Sequence, residues 1–346
     1  LKKGEITMVE AIKIGNISVM PGEMKRGAIA IGKNMYGIER ELPVIVYRGL
    51  HEGKCLWITG STHGDEPEGP FSIKLLMDRS ELDPAKMSGT LVLVPALNVE
   101  ALMDGRRGDP RDAFSYDMNR FYPGKPDGYP SERVAWAFHE IASKYADLHL
   151  AIHSGGDHSM LCRAFFAPEN PESLELGKAL GPEWDLALTS NVGGTGNPTS
   201  VFAGMGKGAL TVEHGGYCRC LTTEFVEVCM KYVNGYINIM KHYHMIEGES
   251  TYADKWYRGH QIALLANASG LFVGADVPLR EMIKKGTVLG HIYNLYGDVL
   301  ETLTAPTDGQ VFGLRYRPSV IEGEWCCFFG AIDEIRNDLM IAGKSK

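Results

Sequence analysis

The chain predicts an α/β protein with a smaller all-β unit behind it, and three observations carry that reading. Between about residues 54 and 250, apolar runs short enough for strands alternate with amphipathic helical stretches. The polar residues best suited to chemistry fall where those runs end. Beyond about residue 250, short apolar runs are punctuated by glycine and proline and lack helical period, as in a small β domain. Alternation of the first kind calls for a largely parallel or mixed sheet. The expected division is an N-terminal β segment over 1–50, a catalytic unit over 51–250 and a β-rich domain over 251–346.

The elements follow in order. The first 50 residues carry turn signals at "GN", "PGE" and "GKN" and end in "LPVIVYRG", so short strands are expected there. "KCLWITG" reads as a buried strand, "PEGPFSIKLLMD" as the helix after it, and "GTLVLVPALN" as the next strand. Ser131 is placed to cap a helix over "ERVAWAFHEIASKYA", without the acidic third residue of a full capping box. "LHLAIHS" and "GALTVEHGG" read as strands with a glycine-rich loop, "NVGGTGNPTS", between them. The long amphipathic stretch "TEFVEVCMKYVNGYINIMKHY" closes the unit as a helix.

Composition narrows the function. At 346 residues, 44% hydrophobic and 23% charged, the chain can bury a sizeable core. A net charge of −8 argues against nucleic acid or an anionic membrane as partner. No apolar run approaches the ~20 residues that span a bilayer, and "LKKGEITMVEAIKIG" shows no apolar core of a secretory signal. The seven cysteines are scattered and odd in number, and Cys218-Arg-Cys220 lacks C-x-x-C spacing. No disulfide framework is expected, and a reducing cytoplasm is the expected home.

The chemistry concentrates in three places. "GSTHGDEPEG" holds His63 and Glu66, His153 closes "DLHLAIHSGG", and Glu213 sits in "LTVEHGG". Two histidines and a carboxylate are a ligand set for catalytic zinc. His63 and Glu66 can face one point if the backbone between them turns, which Gly64 eases. Glu213 is then left over as a general base for an attacking water. A lone histidine at a strand end is usually a satisfied structural partner; the ordered recurrence of these groups after apolar strands is what favours a site.

Four stretches in order, "THGDE", "DMNRFYPG" at 117–124, "ADLHLAIHSGG" at 146–156 and "ALTVEHGG" at 209–216, resemble the succinylglutamate desuccinylase/aspartoacylase family. The resemblance covers roughly residues 40–330. It implies a zinc carboxypeptidase-like three-layer α/β/α domain with a mixed sheet, then a small barrel-sandwich-like domain. It also implies one zinc per chain on His63, Glu66 and His153, the last preferred to His149. Glu213 becomes the general acid/base, and Asn119 with Arg120 the grip on a substrate carboxylate. Arg107, chosen over Arg106 and Arg111, becomes the group that polarises the scissile carbonyl. The family aspartate two residues before the third ligand is Ala151 here, so its support has to come from elsewhere, with Asp147 the candidate. Tyr217 follows "EHGG" within reach of a substrate, though a core or rim role suits it better.

The implied function is a zinc-dependent deacylase acting on an N-acyl amino acid or related small amide. A carboxypeptidase-like peptidase and a non-catalytic metal-holding protein are the alternatives. The acyl group and amine stay open, being set by loops such as 105–117, 157–170 and 191–206, and so does homo-oligomer formation. "GTVLGHIYNLYGDVLETLTAPTDGQV" resembles the hairpins of lipoyl and biotinyl carriers, but "YNLYGDV" lacks the lysine a swinging arm needs. The expected role of the β-rich domain is to shape the site's rim or an oligomer contact.

Overall fold

The computed structural model describes residues 10–189, 195–216 and 223–339. Two short strands, β1 (Ile12–Ile14) and β2 (Ile17–Val19), pair with each other. The next two, β3 (Glu23–Lys33) and β4 (Glu39–Arg48), are long rather than short. In β4, Leu42, Val44 and Val46 alternate with Ile45 and Tyr47, and all five are buried. A strand apolar on both faces belongs inside a sheet, and β4 pairs there with both β3 and the later strand Ser88–Val94.

The main unit continues as β5 (His51–Thr59), α1 (Glu68–Met77), β6 (Ser88–Val94), α2 (Val99–Asp104), α3 (Pro130–Tyr145) and β7 (Leu148–His153). After it come β8 (Ser159–Phe166), α4 (Pro171–Ala179), β9 (Leu186–Thr189), α5 (Pro198–Gly204), β10 (Gly208–Gly216) and α6 (Thr223–His242). A single 3₁₀ turn, Met118–Arg120, lies between α2 and α3. The run 157–170, expected as a loop, thus contains β8. Residues 191–194 of the glycine-rich stretch, and Tyr217, Cys218 and Cys220, lie outside the described residues.

Strands β6, β5, β7 and β10 run parallel. Their C-terminal ends therefore share one edge, where open α/β sheets place their ligands. Period two sorts their side chains. Leu56, Ile58, Leu150, Ile152, Leu210 and Val212 pack in one core with α1, α4 and α6. Trp57, Val92, Val94 and Val46 pack in another with Phe138 and Ala142 of α3 and Phe202 of α5. Helices therefore cover both faces of a mixed sheet.

The start of α3 differs from the expectation. Ser131 lies inside the first turn, and its N–H donates to Asp112 Oδ2 at 2.8 Å. The cap position is Tyr129, whose N–H donates to Glu132 Oε2 at 2.9 Å. Pro130 explains the shift, because its fixed φ and missing N–H suit the first helical position.

Beyond α6 the chain forms β11 (Trp256–Leu265), β12 (Gly270–Gly274), β13 (Met282–Ile283), β14 (Val288–Tyr293), β15 (Val299–Thr304), β16 (Gly309–Arg315), β17 (Ser319–Val320) and β18 (Trp325–Arg336). Strands β15, β14, β12 and β17 make a separate sheet. The others extend the main sheet, which runs β13-β16-β18-β11-β9-β8-β10-β7-β5-β6-β4-β3. Strand β8 also pairs with β16, through Leu161 opposite Gly313. That pairing closes β8, β9, β11, β18 and β16 into a small barrel beside the parallel strands. The expected β14–β15 hairpin is present, with Leu295 and Tyr296 exposed near its tip. The five described cysteines, Cys55, Cys162, Cys229, Cys326 and Cys327, are not joined to one another. Among the described residues no helix is long and apolar enough to cross a membrane.

Candidate active site

After β5 the chain passes Ser61, which adopts a left-handed φ of 47°. Its hydroxyl donates to the His63 carbonyl at 3.1 Å. The turn that aims His63 is therefore made at Ser61. Gly64 serves another purpose, since it has no left-handed φ, yet a Cβ there would lie 2.0 Å from the Ala101 carbonyl. Glycine is needed because the backbone of α2 presses on this loop.

His63, Glu66 and His153 converge and are buried. His63 Nδ1 lies 2.7 Å from Glu66 Oε1, and His153 Nδ1 lies 2.9 Å from Glu66 Oε2. The two Nδ1 atoms are 3.2 Å apart. Two ligand nitrogens at the usual 2.0–2.1 Å from a tetrahedral zinc stand roughly 3.3 Å from each other, so the donor set fits such an ion. Burial opposes charge on all three. For Glu66 the two histidines outweigh it and hold the carboxyl well below its ordinary range. For His63, burial is outweighed by Glu66 and Asp117, and its pKa lies above the usual value. His153 is pushed down, chiefly by burial.

Asp117 was not among the expected site residues, and it ties the centre together. His63 Nε2 lies 3.1 Å from Asp117 Oδ1. Both ring nitrogens face carboxylates, Nδ1 that of Glu66 and Nε2 that of Asp117; with an ion held between Nδ1 and Glu66, Nε2 would carry the proton and donate it to Asp117. Asp117 Oδ2 accepts from Arg107 Nη2 at 3.0 Å and lies 3.3 Å from Arg120 Nη2. Burial works against this carboxylate, but His63, Arg107 and Arg120 hold it well below its ordinary range. Asn119 Oδ1 is buried without a protein partner.

A cavity of about 730 Å³ opens over the centre, lined at this end by His63, Glu66, Arg107, Asn119, Arg120 and Glu213. Arg106 and Arg111 do not line it; Arg111 pairs with Asp109 at 2.7 Å on the surface. Glu213 arrives by register, because β10 runs parallel to β7 and sets Glu213 directly opposite His153. Its Oε2 is shielded and has no hydrogen-bond partner among the described residues. Burial, with the charge of Glu66 beside it, raises the Glu213 pKa well above the ordinary carboxylate value.

Glu68, at the start of α1, was also missed. Its carboxyl accepts from Ser154 Oγ at 2.6 Å and from the Gly216 N–H at 2.7 Å. It thereby joins the ends of β7 and β10, which carry His153 and Glu213. Burial pushes its pKa up to about 7.

The two histidines of β7 separate clearly. His149 lies four residues before His153 on the same face, about 13 Å down the strand. It shares a hydrogen bond with Thr59 Oγ1 at 3.1 Å, and its ring sits 5.6 Å from Phe138 and 4.9 Å from Phe202. Burial lowers its pKa to about 3. Asp147 does not support His153; it accepts from the Cys55 N–H at 2.8 Å at the far end of the sheet. Asp117 supports His63 instead.

Residues 52–239, more than half of the chain, match the model of the succinylglutamate desuccinylase/aspartoacylase catalytic domain. The chain belongs to this family. Over 300 residues it is 28% identical to the N-alpha-acetyl-L-2,4-diaminobutyric acid deacetylase of Halomonas elongata, covering 82% of this chain and 83% of that protein. A succinylglutamate desuccinylase from a Silicibacter species shares the fold with a TM-score of 0.77 at 22% identity, over 93% of this chain and 100% of the other. A product-bound ectoine utilization protein from Ruegeria pomeroyi does so with a TM-score of 0.75 at 22% identity, over 89% and 95%. Both residues missed from the sequence of this family member stand inside its motifs: Asp117 heads "DMNRFYPG", and Glu68 follows "THGDE" by two. A carboxylate at the edge of a ligand motif is the signal that could have found them.

Proposed function

We propose that this family member is a zinc-dependent deacylase that hydrolyses the amide bond of an N-acyl amino acid or related small amide. In this reading residues 51–250 form a zinc carboxypeptidase-like catalytic domain, 251–346 are the β-rich domain, and residues of β11, β16 and β18 complete the cavity wall. The observation that carries it is Glu213, a carboxylate with an unpartnered oxygen, set beside the His63–Glu66–His153 group by strand register. A protein that only held metal would have no use for this extra carboxylate. The deacetylase relative from Halomonas elongata favours an acyl amino acid over a peptide.

His63, Glu66 and His153 would hold the zinc, which when bound supplies a Lewis acid and lowers the pKa of water from 15.7 to about 7. Arg120 and Asn119 bind a substrate carboxylate, the planar guanidinium offering paired donors. Arg107, held in place by Asp117, donates to the scissile carbonyl oxygen as charge develops there. Glu213 takes the proton of the attacking water and returns it to the leaving amine. The raised pKa of Glu213 makes it able to hold that proton between the two steps. The test is Glu213→Gln, which keeps shape but cannot ionise. It should retain zinc and melting temperature and lose a factor of ~10²–10⁴ in turnover. Normal turnover with metal intact would refute the mechanism.

A further inference from the structure

From the aromatic wall of the cavity we infer an apolar acyl subsite, built by β8 and the C-terminal strands, that selects substrates with acyl groups larger than acetyl. This rests on the deacylase reading and names its substrate class. Four aromatic rings line the cavity: Phe166, Phe312, Phe328 and Trp325. They form a continuous ladder. Ring centroids are 6.3 Å apart from Phe166 to Phe312, 6.0 Å from Phe312 to Phe328, and 4.2 Å from Phe328 to Trp325. The last two pairs are stacked, with interplanar angles of 19° and 15°.

The ladder begins beside the chemistry. Phe166 stands opposite Thr211 across the β8–β10 pairing, and Thr211 also lines the cavity. Thr211 is two residues before Glu213 on the same face, about 7 Å away. Asn119 and Arg120 line the same cavity, and Arg120 is held beside the His63 centre by their shared partner Asp117. A substrate anchored there by its amino-acid carboxylate, with its amide at Glu213, directs its acyl half toward the ladder.

The wall is built to stay in place. A side chain at Gly313 would come within 2.5 Å of Leu161 and 3.1 Å of Phe328, so glycine lets those two side chains share the space. Arg315 donates to Glu324 at 3.0 Å and to the Trp325 carbonyl at 3.4 Å, bracing the rim where Trp325 stands. A preformed apolar wall loses little freedom on binding. The cavity volume of about 730 Å³ also lies in the range of sites that take ligands well beyond an acetyl amide.

The experiment uses the zinc-loaded protein and one amino acid carrying acetyl, hexanoyl or phenylacetyl groups. A buried methylene raises kcat/KM by up to about fourfold, so hexanoyl should exceed acetyl by at least tenfold. Trp325→Ala should pull that ratio toward one, and Trp325→Phe should keep most of it. Calorimetry with hexanoate and acetate reads the subsite without turnover. Hexanoate should bind more tightly, and Trp325→Ala should remove the difference. Acetyl turnover equal to or above hexanoyl and phenylacetyl, with hexanoate binding no tighter than acetate, overturns the subsite and leaves the deacylase reading standing. Trp325-dependent hexanoate binding without cleavage of any amide supports the subsite and refutes the deacylase reading instead. A selectivity unchanged in a folded Trp325→Ala protein also overturns the proposal.

Discussion

Replacing Asp117 by Asn tests how the centre is held. Asp117 Oδ1 accepts the His63 Nε2 proton at 3.1 Å, while Oδ2 meets Arg107 at 3.0 Å and Arg120 at 3.3 Å. Asparagine keeps the shape but has one accepting oxygen and one amide that only donates. Either His63 or the two guanidinium groups would then face a donor. Hydrogen bonds to charged groups contribute about 1.5–3 kcal/mol each. Loss of an outer partner to a metal-binding histidine typically costs 10–100-fold in metal affinity, or about 1.4–2.7 kcal/mol. The zinc Kd of Asp117→Asn should therefore rise 10–100-fold, and kcat/KM should fall even with zinc saturating, because Arg107 and Arg120 lose their anchor. Competition against a chelator of known affinity measures the first effect, and circular dichroism shows whether the fold survives. A zinc Kd within twofold of wild type, in a folded protein, would mean that Asp117 does not set the His63 tautomer.

The other perturbations separate chemistry from scaffold. His153→Ala should lose bound metal by elemental analysis, whereas His149→Ala should keep it and lose roughly 2–4 kcal/mol of stability from the Phe138–Phe202 core. The opposite pattern would reverse the ligand assignment. Glu68, with its folded pKa raised to about 7, binds more protons folded than unfolded between about pH 4.5 and 7. Its contribution is complete below about pH 4.5 and is lost as pH rises through about 7, on the order of 3 kcal/mol in the metal-free protein. Denaturant melts of wild type minus Glu68→Gln should show that slope, and a flat difference would rule it out. Gly64→Ala places a Cβ 2.0 Å from the Ala101 carbonyl, so it should lower the melting temperature and metal content together. A normal melting temperature in that variant would show that α2 yields easily.

Much of this architecture is written in local patterns. Short apolar runs mark β5, β6, β7 and β10, which are buried on both faces, and the amphipathic stretch over 223–242 marks α6, where burial on one face leaves a repeat that neighbouring residues reveal. The His63, Glu66, His153 and Glu213 set was legible for a related reason: each stands just after such a run or at its end. Other features depended on partners far apart in the chain. The docking of β4 on β6 joins Ile45–Arg48 to Thr90–Leu93, and the barrel closes through Leu161 opposite Gly313. Resemblance had singled out Arg107 from Arg106 and Arg111, and only the fold shows that it is the one of the three that reaches Asp117 and the cavity. The need for glycine at 64 came from the backbone of α2 rather than from the turn. Sequence by itself determined which residues could bury a face and which could bind or transfer a proton. Tertiary structure alone decided which of them meet, because strand register and loop packing are set by contacts between residues that no local repeat connects.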